Sequence, residues 1–236
     1  MSFQLWTIFH LISLIPLTFF LVNIWKMKAE ETESVKFFSF FLISLISLTI
    51  VNFGEINSPD NSQIISEIFS RLVFVCAGLI VFFFVMSAEY FSKVPKIYEK
   101  LFYGIPLILS IFFSFFSPFS STLKPYGWQG DWVDPLARYS LLASINLVVI
   151  YSVVNLLFLR NSMGKNEISM ANILTFSMSQ ELRNRMNYFI ISAVLALFSG
   201  SLGYVLIQIF GIPNVVPLVL NLSFLPAYFS FKKSKS

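Results

Sequence analysis

The sequence predicts an all-α polytopic membrane protein, a seven-transmembrane-helix bundle with the N-terminus outside and the C-terminus in the cytoplasm. Three observations carry this expectation. The 236 residues are 56% hydrophobic, 18% aromatic and only 12% charged, against about 25% charged in soluble domains; the mean hydropathy is +0.77. Seven apolar runs follow one another, each near the roughly 20 residues that span a bilayer. The basic residues fall almost entirely in alternate connections between those runs, which is the asymmetry that orients membrane helices.

The runs cover residues 5–25, 35–53, 64–91, 101–117, 136–159, 188–210 and 213–231, and together they make one transmembrane domain over residues 1–236. They are rich in Leu, Ile, Val and Phe. The alternating ten-residue segments of membrane-spanning strands are absent. Polar punctuation separates the runs: Asn57-Ser58-Pro59-Asp60-Asn61-Ser62 is a turn, and Gly211 with Pro213 predicts a tight hairpin between the last two helices. The connections at 118–135 and 160–187 are longer.

The first run does not read as a cleaved leader, because no positive charge precedes it and no small-residue cleavage site follows. Lys26, Lys28 and Lys36 lie in the first connection, Lys93, Lys96 and Lys100 in the third, and Arg160, Lys165, Arg183 and Arg185 in the fifth. Lys232, Lys233 and Lys235 lie in the tail. These thirteen of the 16 basic residues assign the odd-numbered connections to the cytoplasm. Trp6, Trp25, Trp128 and Trp132 all fall near expected interfaces, where an amphipathic ring is favoured. The basic clusters sit at the ends of apolar runs and form no continuous basic face, which argues against nucleic acid. The lipid bilayer is the expected partner.

Chemistry is sparse. Cys76 is the only cysteine and His10 the only histidine, so no disulfide, metal cluster or Ser-His-Asp set is expected. Nucleotide-binding glycine motifs are missing as well. The seventh run has no lysine for a retinal Schiff base. No catalytic residue, metal or cofactor is expected. Glu55, Glu67 and Glu89 lie near helix ends rather than at the midplane, which disfavours ion-coupled transport.

Ionisable residues in membrane segments are costly and so mark candidate sites. Glu67 and Arg71 share one helix face at i,i+4 spacing and can pair. With Glu55, His10 and the outer group of Trp128, Asp131, Trp132, Asp134 and Arg138 they suggest an outward-facing ligand pocket in which Arg71 meets an anion. Asn23, Asn52, Asn146, Asn155, Gln208 and Asn221 read as interhelical hydrogen-bonding residues, and Ser199, Gly200 and Gly203 as a close-packing patch. Leu174, Met178, Leu182 and Met186 recur every four residues and predict an amphipathic cytoplasmic segment over 168–186. Arg183 and Arg185 there, with Lys93 and Lys96, are candidates for docking a partner.

Several segments give the chain a family resemblance. These are Ile68-Phe69-Ser70-Arg71-Leu72, Phe84-Val85-Met86-Ser87-Ala88-Glu89-Tyr90-Phe91, the Pro106-bearing run and Lys124-Pro125-Tyr126-Gly127-Trp128, followed by Arg160 and Arg183/Arg185. With them the chain resembles the seven-helix N-terminal sensor region of some bacterial and archaeal histidine kinases. The resemblance implies a membrane sensor in a prokaryotic plasma membrane, here in a stand-alone form ending at Ser236 without a kinase domain. The expected function is therefore a non-enzymatic sensory or receptor-like module. It would pass an external or intramembrane signal to a separate cytoplasmic signalling protein. A non-catalytic subunit of a membrane complex, and a small-solute transporter or channel, are the alternatives.

Overall fold

A computed structural model describes residues 7–26, 32–92, 94–166, 173–203 and 216–231. Five of its helices are long and apolar enough to cross a membrane, over Ile8–Lys26, Glu33–Ile56, Gln63–Tyr90, Ile97–Phe116 and Pro135–Asn161. They belong to α1 (Ile8–Lys26), α2 (Glu33–Ile56), α3 (Gln63–Ser92), α4 (Ile97–Phe116) and α5 (Pro135–Asn166). A sixth, α6 (Ile173–Leu197), runs into a π turn over Phe198–Leu202. The last two are α7 (Val216–Ser223) and α8 (Leu225–Phe229).

Local chemistry sets the ends. Thr32 caps α2 by accepting the Val35 N–H at 3.4 Å. Pro95 precedes α4, and the Lys96 N–H donates to the Glu99 carboxylate at 2.7 Å, the acidic half of a capping box. Pro118 ends α4, having no N–H with which to continue it.

The sequence places an amphipathic segment at 168–186, either lying on the membrane or extending the sixth span, from residue 188, inward. α6 is continuous from Ile173 to Leu197, so the described part of the segment extends the span. No Gly or Pro interrupts Ile173–Leu197, so the backbone has no reason to stop. Leu182 packs on the core and Met186 is fully buried. The expected seventh run divides at Phe224, because Pro226 in the first turn of α8 supplies no hydrogen-bond donor. Among the described residues the apolar stretch here covers Val216–Phe229. The expected tight turn at Gly211 and Pro213, Gln208, Trp6 and Lys93 lie outside the described residues.

The main core sits between α2, α3, α6 and the α7–α8 junction. Phe38, Phe41 and Leu45 of α2 meet Phe84 and Val85 of α3, Phe189 of α6 and Phe224. The Phe41 ring lies edge-on to Phe224, with centroids 4.6 Å apart. Small polar groups draw the helices together. Ser34 Oγ donates to the Ser87 carbonyl at 2.8 Å, and Ser87 Oγ donates to the Ser34 carbonyl at 3.0 Å. Asn221 Nδ2 donates to Ser13 Oγ at 2.8 Å and to Thr49 Oγ1 at 3.0 Å, tying α7 to α1 and α2. Phe9, Ile15, Phe115, Phe116 and Phe158 remain exposed, as lipid-facing side chains would be.

The connection at 118–135 is a β-hairpin of β1 (Phe119–Lys124) and β2 (Gly127–Trp132), paired antiparallel from Phe119↔Trp132 to Lys124↔Gly127. It lies on the ends of α2, α3 and α4. Phe119 and Trp132 bury against Ala137 and Leu141, forming a second, smaller core with Phe74 beneath.

Candidate functional site

The hairpin turns at Pro125 and Tyr126, between β1 and β2. Proline presets the first corner of the turn, and Gly127 follows with φ +115°. A Cβ at Gly127 would lie 2.5 Å from Ile56 Cγ2, so glycine is required both for the turn and for the approach to the end of α2. Gly130 lets the strand descend further, since a Cβ there would sit 2.2 Å from Ser70 Oγ.

The contact this permits is the centre of the site. The Gly130 N–H donates to Glu55 Oε1 at 2.9 Å, and Ser70 Oγ donates to the same oxygen at 2.5 Å. Ser70 Oγ also lies 3.4 Å from Ser121 Oγ of β1. Glu55 is only 4% exposed, so one buried carboxyl joins α2, α3 and β2, and Ser70 carries the contact on to β1. A buried carboxyl is tolerable when hydrogen-bond donors meet it, and these do.

Two indoles anchor the rest. Trp128 Nε1 donates to the Ser58 and Pro59 carbonyls at 3.1 and 3.2 Å. Trp132 Nε1 donates to the Phe113 carbonyl at 3.3 Å, and its ring lies 4.0 Å from that of Phe74. Both rings are buried in the protein rather than displayed in an interfacial belt, whereas Trp25 is exposed. Arg138 of α5 pairs with Asp131 at 3.0 Å and donates to the Trp132 carbonyl at 3.0 Å. Tyr126 donates to Gln129 Oε1 at 3.2 Å; burial pushes its hydroxyl above the usual phenol range.

Glu67 and Arg71 do not pair with each other. Glu67 accepts from Gln63 Nε2 at 2.8 Å. Arg71 turns away to α4, donating to the Ser114 carbonyl and, at 3.3 Å, to the Ser117 carbonyl. Its guanidinium lies 5.1 Å from the Phe119 ring centroid. The reason is electrostatic: the last carbonyls of α4 form the negative end of that helix and lack intrahelical partners. His10 is fully buried on α1, and its carbonyl accepts from Ser13 Oγ at 2.7 Å.

Beneath the hairpin is a cavity of about 190 Å³. Its walls come from α2, α3, α5, α6, the π turn and α7, and its roof from β2. Of the sequence candidates, Glu55 and Trp132 line it; Glu67, Arg71, His10 and Trp128 do not. Gln129, Gly130 and Arg138 complete the polar end, and the remainder is aliphatic and aromatic. The lining runs from Val73 to Phe84 on α3 and from Arg138 to Val149 on α5, about 16 Å along each helix at 1.5 Å per residue. The sequence places Arg138 with the outer aromatic and acidic residues of the pocket but does not single out Gly130, Ser70 or Gln129. The one signal for them was Pro125-Tyr126-Gly127 between two short runs of alternating side chains.

At the opposite end of the bundle, Arg185 pairs with Glu181, and its carbonyl accepts from Ser230 Oγ at 2.9 Å. Lys96 is exposed at the start of α4, its Nζ 5.7 Å from the Tyr98 ring centroid. Among the described residues no group of three or more His, Cys, Asp or Glu could hold a metal ion. No family model matches this chain, and no curated protein matches it.

Proposed function

We propose that the chain is a membrane-embedded sensory or receptor-like module, a seven-helix bundle with the hairpin outside and the C-terminus in the cytoplasm. The observation that carries this reading is the apolar cavity roofed by a hairpin whose seat is the buried Glu55 carboxyl. Largely apolar cavities with a few polar groups at one end are the usual form of a small-molecule site. A compound entering here would touch the hairpin and α2, α3, α5, α6 and α7 together. It would shift the helix arrangement by its differential affinity for two arrangements.

The charge asymmetry of the connections supports the orientation, and the quoted segments support the sensor resemblance. The signal would leave through the opposite end, where Lys96, Arg183 and Arg185 stand, to a separate cytoplasmic protein.

Mild-detergent co-purification from the native host, with mass spectrometry, tests this. A cytoplasmic kinase, cyclase or response regulator is expected, lost when Arg183 and Arg185 are both changed to Glu. Recovery of only other multi-helix membrane proteins in fixed ratio would overturn the reading and make the chain a structural subunit.

A further inference from the structure

We infer that the cavity takes a medium-chain, single-tailed amphiphile with an uncharged hydroxyl head. The tail would lie along α3 and α5, and the head among Glu55, Gln129 and Arg138. This rests on the sensor reading above and names the ligand class of its input site.

Size limits the occupant first. A cavity of about 190 Å³ is somewhat larger than the roughly 150 Å³ engineered cavity that holds benzene, which leaves no room for a two-tailed phospholipid. Shape limits it next. The lining extends about 16 Å along two helices, so a slender chain fits better than a disc. The walls are nearly all apolar, with Phe74, Phe84, Val149, Leu197 and Leu220 among them.

Chemistry then selects the head. Both hydrogen bonds to Glu55 end on Oε1, which leaves Oε2 as an acceptor at the cavity's polar end. Arg138 Nε is buried there without a hydrogen-bond partner among the described residues. Its outer nitrogen is already held by Asp131 and the Trp132 carbonyl. The Gln129 amide can both donate and accept. The residues at the polar end thus offer both an acceptor and donors. A hydroxyl satisfies both. A carboxylate would meet Arg138 favourably and Glu55 unfavourably, an ammonium the reverse, and either would lose its water. An alkane would leave the polar groups without partners.

The test uses the whole chain in lipid nanodiscs and a decanol carrying a photoreactive diazirine at its tail. After irradiation, cross-linked peptides are mapped by mass spectrometry in the presence of competitors of equal length. Labelling is expected on the α3 and α5 segments that line the cavity. Decanol should protect them at concentrations at least tenfold lower than decane, decanoate or decylammonium. Ala77→Leu, which fills the cavity, should abolish the protected labelling. Should that variant not fold, Gln129→Leu should weaken protection by decanol and leave protection by decane unchanged.

Equal protection by decane and decanol would overturn the head-group assignment while leaving the cavity as the input site. Label scattered over lipid-facing side chains, with no protected component, would overturn the ligand altogether. The sensor reading is judged separately, by the partner that co-purifies.

Discussion

Glu55 and Gly130 are 75 residues apart in sequence and joined by a 2.9 Å hydrogen bond. The carboxyl belongs to the end of a helix long and apolar enough to span a membrane and the N–H to a strand packed on that end. Removing the carboxyl should therefore act on the hairpin first. Glu55→Ala orphans the Gly130 N–H in a buried site, a loss of about 1–3 kcal/mol, while the Ser70 hydroxyl keeps the Ser66 carbonyl at 2.9 Å as an acceptor. A clear fall in thermal unfolding temperature in detergent is expected. Glu55→Gln, which keeps an acceptor oxygen, should recover most of it.

Glycine substitutions separate close approach from helix propensity. Gly127→Ala places a methyl against Ile56 at φ +115°, a strained backbone that costs of order 1–3 kcal/mol. Gly104 in α4 has nothing within 4 Å of its ideal Cβ. Gly104→Ala should be neutral or stabilising by up to about 1 kcal/mol. Paired thermal melts of the two variants would show it.

Arg71 holds the end of α4 through the Ser114 and Ser117 carbonyls and does not line the cavity. Arg71→Met should cost about 1.5–3 kcal/mol, the range for hydrogen bonds from charged groups. Binding of the decanol probe, scored on variant that remains folded, should be unchanged. A selective loss of probe binding at unchanged stability would place Arg71 in the site instead.

Orientation is open to cysteine labelling in a Cys76→Ala background. Thr122 and Asn161 are both exposed and lie at opposite ends of the bundle. Thr122→Cys should react with an impermeant maleimide added to intact cells, and Asn161→Cys only after the membrane is opened. The reverse pattern would invert the bundle.

The five long helices were legible because each presents an unbroken apolar run near bilayer thickness. The last run divides at Phe224, where Pro226 outweighs continuous hydropathy. Polarity left the amphipathic segment free to lie on the membrane or to extend the sixth span; without Gly or Pro between Ile173 and Leu197, the helix extends. The hairpin was harder to see. Strands of six residues rich in Ser, Thr and Gly carry a weak two-residue period, and their stability comes from Trp128, Trp132 and Glu55, which are distant in sequence. The spacing of Glu67 and Arg71 permits a pair, but spacing cannot reveal that the end of α4 offers Arg71 stronger acceptors. Glu55 was recognisable as a costly residue, its partners Ser70 and Gly130 were not, and the cavity became visible only once α5, α6 and α7 were assembled around it.

Hydrogen exchange, read by mass spectrometry, tests most directly whether the hairpin seat communicates with the far end of the bundle. The comparison is between wild type and Glu55→Ala, with Asn221→Leu as a control that removes the bonds to Ser13 and Thr49. The account predicts faster exchange over residues 119–132 in Glu55→Ala, accompanied by altered exchange at residues 97–102 and 180–186 that the control does not reproduce. A change confined to the hairpin, with both distant segments as in wild type, would contradict it.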